Sequence, residues 1–170
     1  MREITLTKGQ IAIVDDEDYD RLNQYKWYAH YDRHTKGYYA ARNSKYVDGK
    51  RKPIPMHRAV LDIDTQQTDH INHNTLDNRK QNLRICSCMQ NTWNRKSNNG
   101  SSKYKGVQWY EHNGKWGARC MAQGKRVFLG LFCSAIDAAM AYDNYARIHH
   151  GEFALLNTLP QDFGNKETRG

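Results

Sequence analysis

Between Lys96 and Lys103 the chain reads Lys-Ser-Asn-Asn-Gly-Ser-Ser-Lys, without one apolar side chain. A stretch like this cannot run through a hydrophobic core and reads as a flexible linker. It predicts that the 170 residues fold as separate small units with thin cores on either side of it. The expected divisions are an N-terminal α+β unit at 1–55, a polar motif at 56–97, the linker at 98–103, a second module at 104–159 and a tail at 160–170. No repeat of 20–50 residues crosses these divisions.

Charge narrows the choice of partner. The chain holds 26 Lys and Arg against 18 Asp and Glu, a net charge of +8. Six of the eight excess charges lie in residues 69–160, while the first 68 residues are nearly balanced. A basic surface is suited to a polyanion. Eleven Tyr and four Trp argue for packed domains, not a disordered basic tail. No apolar run approaches the ~18 residues of a membrane span, so no membrane partner is expected. The opening MREITLTKGQ lacks the apolar stretch of a signal peptide, which predicts a soluble, intracellular chain. Cys86, Cys88, Cys120 and Cys133 form no C-x-x-C pair and are expected to be buried thiols.

In the first segment, Ile4–Leu6 and Ile11–Val14 read as strands around the turn Lys8-Gly9. Asp15 to Tyr25 suits a short helix capped by Asp15 or Asp16. Trp27–Tyr31 and Tyr38–Ala41 suit a hairpin. Lys45–Lys52 is a basic loop, and Met56–Leu61 a short helix. None of these residues carries a legible chemistry.

The informative stretch runs from Asp69 to Arg95. Asp69–Ile71 can end a strand, a polar Asn-rich loop follows, and Leu83–Ile85 can return as a second strand. Ser87 with Gln90 three later is a capping box, so a helix is expected from residue 88. This order of strand, loop, strand and helix brings Asp69 and Asn91 within reach of a common point. Both offer hard oxygens, which suit Mg²⁺ or another divalent cation such as Mn²⁺. His70 adjoins Asp69 and is a candidate base, mostly neutral at pH 7 with an ordinary pKa near ~6.5. His73 is expected to be exposed, and His57 to pack or hydrogen-bond.

These residues resemble the HNH nucleases with their ββα-metal motif, above all the phage and intron-encoded homing-type subgroup. The resemblance implies that Asp69 and Asn91 bind one metal ion and that His70 activates the attacking water. It implies that Asn82 braces the loop through backbone hydrogen bonds, with Asn78 and Arg84 supporting the loop or a phosphate. The subgroup carries Asn where other HNH enzymes carry His as the final ligand.

Beyond the linker, Lys103–Tyr110, Lys115–Gln123 and Arg126–Phe132 read as three strands. Their alternation sets Ala118 and Cys120 against Gly117, Arg119 and Met121. It likewise sets Val127, Leu129 and Leu131 against Arg126, Phe128 and Gly130. Ser134 with Asp137 opens a helix with alanines at three- and four-residue spacing, closed by Gly151. The small apolar face should take the helix and leave the other face to a ligand.

Tyr104-x-Gly106-Val107, Lys115-Trp116, Arg126–Gly130, Ala138–Asp143 and Leu156-Asn157 closely resemble the APETALA/ethylene-response-factor DNA-binding domain. The resemblance implies that the open sheet face meets a DNA groove. Lys105, Gln108, Trp109, Arg119, Met121, Arg126 and Phe128 are the expected contacts, with Arg84 from the motif. Gln108, Met121 and Phe128 depart from the plant pattern, so a plant target sequence does not transfer.

The whole is expected to be an α+β chain: a small N-terminal unit, a ββα motif, a linker, then a three-stranded antiparallel sheet on one helix. It is expected to hydrolyse phosphodiester bonds in double-stranded DNA. The competing expectations are a non-catalytic DNA-binding transcriptional regulator and an RNA-binding or RNA-cleaving protein.

Overall fold

A computed structural model describes residues 1–46, 49–96 and 101–160. The first half of the expected linker (98–100), the middle of the Lys45–Lys52 loop and the tail beyond Pro160 lie outside the described residues. The architecture is α+β, built from small antiparallel sheets and four helices. It divides into two compact units, Met1–Cys88 and Met89–Gly170.

In the first unit, β1 (Arg2–Thr5) and β2 (Ile11–Val14) form an antiparallel ribbon. Helix α1 (Asp16–Asn23) follows. Asp15 holds the cap position, but its side chain makes no capping bond and accepts from the Lys80 amide at 2.8 Å. Next, β3 (Tyr28–Asp32), β4 (Gly37–Asn43) and β5 (Pro53–Pro55) form a sheet in that order. Pro55 leads into α2 (Met56–Leu61), where the proline ring sits outside the intrahelical bonding. The hairpin β6 (Gln67–His70) and β7 (Leu83–Cys86) completes the unit.

The N-terminal strands and the motif share one core. Ile4, Leu6, Val14, Leu22, Trp27, Met56, Val60 and Leu83 pack in a single cluster. Residues 1–55 therefore supply the support on which the motif rests. The polar loop between β6 and β7 is also joined to β2 through the main chain. The Ile13 amide donates to the Leu76 carbonyl, and the Asn78 amide to that of Ile13, each at 2.8 Å.

Helix α3 (Cys88–Asn94) starts at the last residue of the first unit and otherwise belongs to the second. The second unit continues with β8 (Val107–Tyr110), β9 (Lys115–Ala122) and β10 (Lys125–Phe132), an antiparallel meander in the order β10-β9-β8. Gln123 and Gly124 both have positive φ, the conformation of a tight two-residue hairpin turn. Helix α4 (Ala135–His150) is capped by the Ser134 hydroxyl, which accepts from the Ile136 amide. Ala138, Ala139 and Ala146 are fully buried against the sheet, as their spacing predicts.

One face assignment changes. A bulge between Phe128 and Gly130 inserts a residue into β10. Leu131 consequently turns outward and Phe132 packs into the core cluster. Close packing also explains Gly106, whose φ is +77°. A Cβ there would lie 2.1 Å from the Tyr142 ring. Of the cysteines, Cys86 and Cys120 are buried, but Cys88 and Cys133 are exposed thiols.

Candidate functional site

The β6–β7 register sets Asp69 opposite Arg84 and His70 opposite Leu83. This brings the Arg84 Nε and Nη2 within 3.0 and 2.7 Å of Asp69 Oδ2. Both side chains are almost wholly buried. Arg84, expected near the loop or a phosphate, thus balances the Asp69 carboxylate.

Local side-chain bonds hold the loop that follows, as an Asn-rich segment allows. Asn72 Oδ1 accepts from the Asn74 amide at 2.8 Å, and Asn74 Oδ1 from the Leu76 amide at 3.1 Å. Asn82 Nδ2 donates to the Asp77 carbonyl at 2.8 Å, while its Oδ1 accepts from the Asn72 amide at 2.9 Å. Asp77 is the hub. It accepts from Asn72 at 2.9 Å and from the Arg79 guanidinium at 2.8 and 2.7 Å. The Arg79 contact holds the Asp77 carboxyl below the usual range. Thr75 and Lys80 tie the loop to Tyr38, Glu17 and Asp18.

His70 stands at the end of β6, buried beside Asp69. Burial lowers its pKa, against the opposing pull of the Asn78 side chain and the Asp69 and Asp77 charges. Its ring meets those of His57 and Tyr39, with centroids 5.4 and 6.1 Å away. His57 is pushed down to about 3, first by burial and then by the charges of His70 and Arg58. Sequence reasoning missed Tyr39. The alternation of β4 makes it an aromatic strand residue and gives no sign of its neighbours. His73 is half-buried, not exposed, and adopts φ 62°.

Asn91 lies on α3, half-buried, in the second unit. Asp69 and Asn91 offer a carboxylate and an amide oxygen, donors of the hard type that Mg²⁺ and Mn²⁺ prefer. Among the described residues there is no group of three or more His, Cys, Asp or Glu able to hold a metal ion.

In the second unit, Gln108, Met121, Arg126 and Phe128 are exposed on the sheet. The register sets Arg126 opposite Met121 and Phe128 opposite Arg119. The Arg119 guanidinium donates to the Tyr110 hydroxyl, and the Tyr110 ring packs near Phe128. Tyr110 thus joins this cluster, a role its place at a strand end did not reveal. Trp109 packs edge-on against Trp116 at 5.1 Å. Gln108, Arg119 and Arg126 line a cleft of about 580 Å³.

Lys105 is engaged within the unit. Its ammonium donates to the carbonyls of Trp93 and of Arg95, closing the end of α3. Burial pushes its pKa down to about 8. The Trp93 ring stacks on His150 at 4.2 Å, tying α3 to α4. Asn157 bridges the Lys105 backbone to the buried Asp143 of α4, which explains its place in the pattern. Among the described residues no helix is long and apolar enough to cross a membrane.

No protein-family model matches the chain. Over 89% of its length it is 28% identical to an uncharacterized HNH endonuclease of Acanthamoeba polyphaga mimivirus, covering 77% of that protein. Over 45 residues, 26% of the chain, it is 53% identical to an AP2/ERF and B3 domain-containing transcription factor of Arabidopsis thaliana. Over 65 residues, 38% of the chain, it is 43% identical to an AP2/ERF and B3 domain-containing transcription repressor of the same plant. The chain spans only 13% and 18% of those two plant proteins.

Proposed function

We propose that the chain is a metal-dependent HNH endonuclease of the homing type that hydrolyses phosphodiester bonds in duplex DNA. The observation that carries this reading is the end of β6, where a buried, neutral His70 adjoins a buried carboxylate on a loop fixed from both sides. The similarity to the mimivirus protein, which runs nearly the length of the chain, supports it.

Asp69 and Asn91 would hold the divalent cation. Such an ion supplies positive charge to the scissile phosphate and to the leaving 3′ oxygen. His70 accepts a proton from the attacking water; burial keeps it unprotonated and able to do so at neutral pH. Arg84 offsets the Asp69 charge within the fold. Asn82 and Asp77 keep the loop main chain from moving as charge develops. The products are 5′-phosphate and 3′-hydroxyl ends. The exposed sheet face of the second unit, with Arg126, Met121 and Phe128, holds the duplex.

A non-catalytic DNA-binding regulator is the second reading, favoured by the Arg84 guanidinium already seated on Asp69. Supercoiled plasmid carrying the chain's own coding region and flanks separates the two. Wild type with Mg²⁺ should give nicked or linear DNA and none with EDTA. His70→Ala should lose about 10²–10⁴ in rate while still shifting the DNA in a gel. Binding without any metal-dependent cleavage would leave the regulator.

A further inference from the structure

We propose that His57, with Tyr39, is a positioning residue that fixes the imidazole plane of His70; this rests on the nuclease reading above. Three rings from three elements meet here: Tyr39 of β4, His57 of α2 and His70 of β6. The His57 and His70 planes stand at 89° with centroids 5.4 Å apart. Tyr39 meets His70 at 6.1 Å and 64°, and His57 at 6.2 Å and 69°. Each pair is edge-to-face, the arrangement that ring quadrupoles favour.

The bracket has a rigid base. Ala41, two residues beyond Tyr39, pairs with Pro55, two residues before His57. Met56, next to His57, is fully buried in the core. Strand pairing and core packing therefore fix the spacing of the two bracketing rings independently of His70.

A base needs this support for a geometric reason. The terminal torsion of an imidazole is broad and roughly two-fold, so the ring can turn over and exchange its two nitrogens. Only one nitrogen can face the water that gives up its proton. Rings packed at right angles on two sides raise the cost of turning over. Burial holds His57 uncharged at neutral pH, with its pKa down at about 3, so it sets no second positive charge beside His70 after proton uptake.

The test compares wild type, His57→Ala, His57→Phe, His57→Leu and His70→Ala on the plasmid substrate with Mg²⁺. His57→Ala should lower kcat about ten- to hundredfold with KM and gel-shift binding unchanged. His57→Phe should recover most of that loss, because it restores a ring. His57→Leu, which fills volume without a ring, should not; it also serves if the alanine variant fails to fold. Long-range ¹H–¹⁵N spectra should show one ordered His70 ring in wild type and His57→Phe, and exchange broadening in His57→Leu. If His57→Leu cuts at the wild-type rate while His70→Ala is inactive, the bracket is wrong and the nuclease reading stands. If phenylalanine does not rescue, packing of a ring is not what His57 supplies. If wild type itself never cuts, both readings fall together.

Discussion

The first unit buries a connected set of polar side chains, whereas the second leaves basic, apolar and aromatic side chains open on its sheet. Asp18, Asp69, His70, Asp77, Asn78 and Asn82 are all buried in the first unit, with Asp18, Asp69 and Asp77 paired to arginines and Asn78 and Asn82 bonded to main chain. The second unit buries alanines between α4 and the sheet and leaves Met121, Arg126 and Phe128 in the open. Under the proposed function, the difference follows from the task of each part. Groups that handle a proton must be fixed and partly dehydrated. Groups that meet a duplex must be reachable, and a stiff backing suffices to present them. Buried polar networks are costly to break, whereas open faces tolerate change.

The contrast can be broken most directly at Asp77. Replacing it with Ala leaves the Arg79 guanidinium without its carboxylate and removes the acceptor of Asn72. The expected outcome is a clear loss of stability from the lost hydrogen bonds, read by chemical denaturation of the full chain, with faster amide exchange over residues 71–82. A neutral Asp77→Ala would show that the inward network carries no stability.

Acid should act next, through His57. Its folded pKa is about 3 against an ordinary ~6.5, so below that value the unfolded chain takes up a proton that the folded chain refuses. Stability is full above pH ~6.5 and falls as pH drops towards 3. From pH 7 to pH 5 the loss from this group is roughly 2 kcal/mol. The lowered pKa of His70 adds with the same sign. Urea melts across that range should fall less steeply for His57→Phe than for wild type; equal slopes would remove His57 as the cause.

The smallest stability change is expected on the open face. Arg126→Ala should alter stability by no more than about 0.5 kcal/mol. It should still weaken DNA retention and lower the salt slope of binding by about 1. A large loss of stability would mean that the exposed face is part of the scaffold after all.

Much of this architecture is legible in residue order. Alanine spacing and the Ser134 cap give α4, and alternation around Gly124 gives the β9–β10 hairpin. The β6–loop–β7–α3 order follows from short apolar runs around an Asn-rich stretch. Other features leave no local mark. The bulge at Phe128/Gly130 is invisible to alternation, because an inserted residue changes faces without changing composition. The bonds of Ile13 to Leu76 and Asn78 use main chain, which any residue provides. Arg84 and Lys105 look like phosphate contacts in sequence. Strand register turns one towards Asp69, and the end of α3 draws in the other. The Tyr39–His57–His70 group depends on three distant elements coming together, and pairwise spacing cannot show it.

The joining of the loop to β2 also bears on how the protein is made and how it can be redesigned. Lys80 and Asp15 are 65 positions apart, and the Ile13 bonds close a loop of similar length. The entropic cost of such closure grows only slowly with length, so distance delays the centre more than it weakens it. During synthesis β2 must wait for the loop to emerge before its Ile13 main-chain groups are satisfied. A fragment cut at 56–97 would keep Asp69, His70 and Asn82 but lose the partners that hold them still. Under the proposed function, the smallest portable cutting module is therefore not the motif alone; a graft must carry β1 and β2 with it.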